Sequence, residues 1–170
     1  MTQSVSMVHI ASQSTSSSLS EFTDEQVQPN AIDLRVAKVF EMKQEAFVID
    51  EDKKVHRGAT EIKPNGDGYW HLDNGCYEII MEGVVSIGED EAGWVITRST
   101  LNRNGLFITS GLYDSGYEGV MAGALHVEGG KALLKPGTRV GQFLLFKSES
   151  LSSYDGDYGK SGTHDEKYNG

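Results

Sequence analysis

Short apolar runs cut by tight-turn residues constrain this chain more than any other feature. Pro64-Asn65-Gly66-Asp67-Gly68, Asp73-Asn74-Gly75, Glu128-Gly129-Gly130 and Lys135-Pro136-Gly137 each end a run soon after it begins. Gly supplies backbone angles closed to other residues, Pro fixes φ, and Asn and Asp bond their own backbone, so such clusters reverse the chain. Between them apolar and polar residues alternate: Ile32, Leu34 and Val36 against Asp33 and Arg35. A period of two places alternate side chains on one face of a strand. Further strands are predicted over 46–49, 69–72, 77–80 with 84–87, 94–97, 106–109, 120–127, 132–134 and 140–146. One short helix is predicted over 99–104, closed by Gly105 as its C-cap. The chain has 20 Gly in 170 residues, well above the usual share of about 7%. The pattern specifies an all-β chain, a closed or two-sheet fold with one short helix.

Length and charge narrow the class. One domain with its own core fits 170 residues. The net charge of −10 argues against a general nucleic-acid binder. An anionic small substrate would have to be drawn in by a local group of Arg and Lys. Cys76 is the only cysteine, so no intrachain disulfide forms, which suits a reducing compartment such as the cytoplasm. No apolar run approaches the roughly 18–20 residues of a membrane span, and no secretory signal is expected. Residues 1–26 read as a Ser-rich arm, too polar between Ser12 and Ser20 to build a core, although the apolar segment 5–10 could pair with a neighbour. The β domain is expected over 27–147. A Gly- and Tyr-rich tail that could act as a lid follows over 148–170. The five His and single Cys lack zinc spacing, which disfavours zinc-dependent deamination.

The stretch Gly111-Leu112-Tyr113-Asp114-Ser115-Gly116-Tyr117-Glu118-Gly119 sets an acid and an aromatic three residues apart in a glycine-framed turn. It resembles the hairpin of the deoxynucleoside pocket in the trimeric dUTPase and dCTP deaminase superfamily. Four other segments fit in that family's order: 27–35 (Val-Gln-Pro-Asn-Ala-Ile-Asp-Leu-Arg), 97–106 with the pair Arg98-Ser99, 135–142 with Arg139 and Gln142, and the Gly-rich aromatic tail at 154–162. The resemblance implies a dUTPase-like β-clip, or distorted β-barrel, assembled as a homotrimer with sites between subunits. It implies that Asp114 activates the attacking water and that Tyr117 packs on the deoxyribose. Arg98, Ser99 and Gln142 fall to the phosphates, Tyr158 to a lid, and Asp33 and Arg139 to support. The implied substrate is a pyrimidine deoxynucleoside triphosphate whose phosphates hold Mg2+, with no direct protein ligand to the metal.

The two chemistries of that superfamily part at one position. The deaminases carry a catalytic Glu ten residues after the hairpin Asp, and here that position is Ala124. Deamination without zinc needs an acid/base to carry protons to the leaving amine, and Ala has none. The expected activity is therefore hydrolysis of dUTP to dUMP and pyrophosphate. Between Gly105 and Asp114 the chain is about two residues shorter than is usual in the family. The tail has Asp155 and Asp157, with Lys160, in place of an Arg before its glycines. Two alternatives stay open: a non-catalytic structural or interaction protein on this fold, and a dCTP deaminase with a displaced acid.

Overall fold

A computed structural model describes residues 6–159. In chain order the strands are β1 Met7–Val8, β2 Ser18–Leu19, β3 Ile32–Met42, β4 Val48–Ile49, β5 Lys54–Val55, β6 Ala59–Glu61 and β7 Trp70–Leu72. They continue with β8 Gly75–Ser86, β9 Glu91–Thr97, β10 Leu106–Thr109, β11 Glu118–Val127, β12 Ala132–Leu134 and β13 Arg139–Lys147. The one α-helix among the described residues is α1, Ser99–Asn102. The all-β expectation with a single short helix holds. Gly105, just past that helix, has φ +79°, as a C-cap glycine should.

Nine strands share one sheet in the order β1-β13-β3-β8-β11-β10, with β2 on β8, β6 on β3 and β9 on β13. Strand β3 joins two regions. Its first half pairs with β13, Ile32 opposite Phe143, and its second half pairs with β8, Val39 opposite Ile79. The even-numbered residues Ile32, Leu34 and Val36 are fully buried, which is the period-two pattern put to use. They meet Ile79, Val85, Met121, Leu125, Val140, Phe143 and Leu145 in one core. Burying such side chains stabilises the fold by about 1.5–3 kcal/mol each relative to exposure.

Two expectations change. Residues 77–80 and 84–87 are not a pair of strands but parts of one, since β8 runs unbroken from Gly75 to Ser86. Gly83 lets it bend at φ +86°, where the Leu19 side chain comes close. The Ser-rich segment is not detached from the body. β1 lies on β13 and β2 on β8 of the same chain, and Val8, Ile10 and Leu19 are core residues. The polarity between them has a use: Glu91 is 0% exposed, and its Oε1 accepts from the Thr15 hydroxyl at 2.6 Å and from the Ser16 and Ser17 backbone N–H groups at 2.8 Å. A buried carboxylate needs such donors, so a Ser/Thr run that looks unfit for a core serves as a cradle inside it. Residues 1–5 and 160–170, with Val5 and Lys160 among them, lie outside the described residues.

Candidate functional site

The hairpin leading into β11 separates its acid from its ring. Tyr117 N–H donates to the Asp114 carbonyl at 3.1 Å and Gly116, at φ +84°, turns the chain. The alternation that follows exposes Asp114 and buries Tyr113, Ser115 and Tyr117. Asp114 borders an open surface depression of about 620 Å³ that it shares with Ser115, Tyr154 and Asp155. Tyr117 faces the other way, into a cavity of about 540 Å³. Its hydroxyl donates to the Val120 carbonyl at 2.7 Å, and its ring meets Tyr113 and Tyr154 edge-on at 5.1 and 5.2 Å. Burial, with the neighbouring Tyr117, pushes the Tyr113 hydroxyl well above the usual phenol range. It stays protonated and donates to the Ala122 carbonyl at 3.1 Å.

The cavity is largely apolar. Its floor is the outer face of β8 and β11, where Ala122, Gly123 and Ala124 leave space. Its roof is the chain on either side of the β4–β5 hairpin, Phe47 before it and His56 and Arg57 after it. Phe47 stacks on His56 with ring centroids 6.2 Å apart. The tail closes one side. Tyr154 and Tyr158 line the cavity, Tyr158 N–H donates to the Tyr154 hydroxyl at 3.0 Å, and Lys54 pairs with Asp157 at 3.7 Å. Tyr158 and Tyr117 therefore line the same cavity within one chain.

The remaining candidates gather on a second centre. Asp33 is 1% exposed, and three side chains reach its carboxylate: Arg98 Nε at 3.3 Å, Arg139 Nη1 at 3.2 Å and Gln142 Nε2 at 3.1 Å. Strands β3 and β13 set Asp33 opposite Gln142 in register, and Arg98 follows directly on β9. Arg98 Nη1 also donates to the Arg139 carbonyl at 3.0 Å. A buried carboxylate between two guanidinium groups orients both and neutralises part of their charge. Ser99 is exposed at the first position of α1, next to this cluster. Neither Arg98, Ser99 nor Gln142 lines the cavity or the depression beside Asp114. Within one chain the candidates thus form two groups: Asp33, Arg98, Ser99, Arg139 and Gln142 in one, Asp114, Tyr117 and Tyr158 in the other.

The sequence reading missed Glu78, Phe47, His56 and Arg57, all of which line the cavity. Glu78 is a half-buried acid in a strand predicted from its apolar neighbours, and its register partner is Ala124. A Glu between Tyr77 and Ile79 is visible in the sequence; its position opposite Ala124 is not. Among the described residues no group of three or more His, Cys, Asp and Glu side chains is placed to hold a metal ion. No helix of the described residues is long and apolar enough to cross a membrane.

A sequence model of the dCTP deaminase-like family matches residues 5–148. A protein of Halobacterium salinarum, named probable deoxyuridine 5'-triphosphate nucleotidohydrolase, is 31% identical over 140 residues, which cover 79% of this chain and 84% of that one. The deoxyuridine 5'-triphosphate nucleotidohydrolase of Methanocaldococcus jannaschii is 34% identical over 98 residues, 56% of this chain and 63% of that one. Among solved structures, the 2'-deoxycytidine 5'-triphosphate deaminase of Agrobacterium tumefaciens superposes with a TM-score of 0.59 at 16% identity, over 78% of this chain and 44% of that one. That last likeness concerns the fold alone. The family match begins in the Ser-rich segment and ends where the tail begins, so it takes in every candidate residue except Tyr158: the chain belongs to the dCTP deaminase-like family, within the superfamily that holds the dUTPases and dCTP deaminases.

Proposed function

We propose that this protein hydrolyses a deoxyuridine-type nucleoside triphosphate to its monophosphate and pyrophosphate. The observation that carries the reading is the divided hairpin, with the Asp114 carboxylate exposed on one side and the Tyr117 ring in a nucleoside-sized cavity on the other. The names of the two curated relatives support it. In this reading the nucleoside enters the cavity against Tyr117, and Tyr158 closes over it. Asp114 takes a proton from water, which attacks the α-phosphorus; the bond to the bridging oxygen breaks and pyrophosphate leaves. Arg98, Ser99 and Gln142 hold the phosphates, with Asp33 and Arg139 fixing the direction of the Arg98 fork. Magnesium arrives on the triphosphate as part of the substrate.

The two groups of residues are brought together, in this reading, by a homotrimer. Supporting it is an apolar strip on the outer face of β9, β13 and β1. Trp94 is 37% exposed and stacks on Phe146 at 5.0 Å; Ile96 and Met7 flank them, and Ile96 sits opposite Gln142. A strip of this kind suits an interface, and it leads straight into the Asp33 cluster. The single Cys76 fits a cytoplasmic location.

The test incubates the protein with dUTP and magnesium and follows pyrophosphate. Asp114→Asn is expected to lower turnover by about 100-fold or more, the usual share of a general base. Its melting temperature should be unchanged, because only the backbone carbonyl of Asp114 takes part in the turn. Undiminished turnover in that variant would overturn the assignment of the base, and no turnover of any pyrimidine deoxynucleotide by the wild type would overturn the reading itself.

A further inference from the structure

Strands β9 and β10 run side by side and antiparallel, yet each is laddered to another strand, β9 to β13 and β10 to β11. Just beyond β10 the two chains bond directly: Gly93 N–H donates to the Tyr113 carbonyl at 3.0 Å and Tyr113 N–H to the Gly93 carbonyl at 2.7 Å. At the next two rungs a side-chain hydroxyl stands between the backbones. Ser110 Oγ accepts from Val95 N–H at 3.2 Å, and its own proton is within reach of the Val95 carbonyl at 3.4 Å and the Gly111 carbonyl at 3.1 Å. Thr97 Oγ1 accepts from Ile108 N–H at 2.7 Å and donates to the Ile108 carbonyl at 3.3 Å. Each hydroxyl thus serves one residue of the opposite strand, at its N–H and at its carbonyl.

The cause is one extra residue. Between Ser110 and Tyr113 lie Gly111 and Leu112, whereas between Val95 and Gly93 lies Trp94 alone. An extra residue on one strand unseats the ladder, and the displaced Gly111 and Leu112 line the cavity. Val95 and Ile108 are buried, so their backbone groups need partners within the protein. The hydroxyls supply them. Beneath the seam Val95 and Ile108 meet over Gly141 of β13, where a Cβ would lie 2.9 Å from Val95 Cγ1 and 3.8 Å from Ile108 Cδ1.

The two hydroxyl rungs stand at the ends that matter for the proposed site. Thr97 directly precedes Arg98, whose Nε lies 3.3 Å from Asp33. Ser110 directly precedes Gly111 and the turn that carries Asp114 and Tyr117. From this geometry we infer that Thr97 and Ser110 are positioning residues, whose hydroxyls set the span from Arg98 to the hairpin of Asp114 and Tyr117. The span matters whether Arg98 works with this hairpin or with that of a neighbouring subunit, since one chain carries both groups in either case. The inference rests on the proposed nucleotide site and concerns what holds its parts in place.

The experiment compares Thr97→Val, which keeps the shape and loses the hydroxyl, with Thr97→Ser, which keeps the hydroxyl and loses a methyl, and with Ser110→Ala. Pyrophosphate release from dUTP with magnesium gives kcat at a temperature where circular dichroism shows each variant folded. Amide hydrogen exchange of the intact protein follows the hairpin. Thr97→Val and Ser110→Ala are each expected to lower kcat about tenfold or more. Both should speed exchange at the Tyr113 and Tyr117 N–H groups about tenfold, with the amides of β8 unchanged. Thr97→Ser should recover most of both. A merely structural hydroxyl would lower the melting temperature and leave kcat of the folded variants as it was, and that result overturns the inference. A Thr97→Ser variant as slow as Thr97→Val also overturns it, since the effect would then belong to packing. If the wild type cleaves no pyrimidine deoxynucleotide, the proposed function fails, and exchange alone decides whether the seam holds the hairpin: unchanged exchange in both hydroxyl-free variants overturns that as well. If Thr97→Val does not fold, Ser110→Ala makes the same comparison from the opposite strand.

Discussion

Single residues in this chain carry conflicting demands, and Glu91 shows how they are met. Burial alone raises the pKa of its carboxyl. The Thr15, Ser17 and Ser16 donors and the Lys147 ammonium, 3.2 Å from Oε2, outweigh that and hold it below the ordinary glutamate range. A carboxyl whose pKa is lower folded than unfolded stabilises the fold above its unfolded value, and that stabilisation is lost as pH falls through the folded value. Acid should therefore loosen the N-terminal segment from β9. The melting temperature of the wild type is expected to fall steeply from about pH 5 to pH 3. Glu91→Gln should melt lower at pH 7 and show a flatter dependence over the same range, because the amide cannot gain the proton. Equal slopes in a thermal titration of the two proteins would show that Glu91 does not supply the acid sensitivity. Asp33 is the contrasting case. It too is a buried carboxylate, but its partners are two guanidinium groups and an amide offered toward solvent. Its burial organises a surface, whereas that of Glu91 anchors a segment.

At the scale of elements, the hairpin before β11 and the tail act as one unit because two glycines touch. A Cβ on Gly119 would lie 2.5 Å from Gly159 Cα and 2.9 Å from the Tyr117 hydroxyl. Gly159 itself sits at φ +79°. Gly119→Ala is expected to lift the tail from the hairpin and expose the cavity. Limited proteolysis should then cut within 148–159 faster than in the wild type, with the core melting temperature lowered by no more than a few degrees. Unchanged cleavage would mean that the tail is held elsewhere. The sequence makes this hairpin legible because turn glycines and alternating burial are local properties: α1, β7 and β9 to β13 fall within a few residues of where the period and the turn clusters put them. Strands β1, β2, β5 and β6 are two or three residues long and carry no period; only pairing defines them, with the adjacent β4 for β5 and with strands farther along the chain for the others. The same limit hid Glu78. Its place opposite Ala124 depends on a register shift between Val120 and Ala122, an irregularity that no alternation in one strand announces. The partners of Asp33 were named from motif order, but their convergence on one carboxylate needed the β3–β13 register.

The whole molecule must reconcile two groups of candidate residues that one chain keeps apart. Arg98, Ser99 and Gln142 surround Asp33, while Asp114, Tyr117 and Tyr158 frame the hairpin and cavity. Hydrolysis as proposed needs the acid near the α-phosphorus and the guanidinium on the same triphosphate, a few ångströms away. A closed ring of identical chains supplies this if the hairpin of one subunit meets the Asp33 cluster of the next, since a heterologous contact repeated around a three-fold axis uses each group once per subunit. This arrangement makes a demand that a single-chain site does not. Asp114→Asn and Arg98→Ala should each be inactive alone. Mixed, unfolded together and refolded, they should form rings in which some sites take Asp114 from an Arg98→Ala chain and Arg98 from an Asp114→Asn chain. For random assembly at equal amounts about a quarter of the sites are then intact, and pyrophosphate release should recover to roughly that fraction of the wild-type rate. If every site were built within one chain, no mixing would restore it, because each chain would keep its own defect. Mass measurement of the refolded mixture separates the causes of failure: trimers without activity would place the site inside one chain, whereas monomers would remove the ring on which the shared site depends.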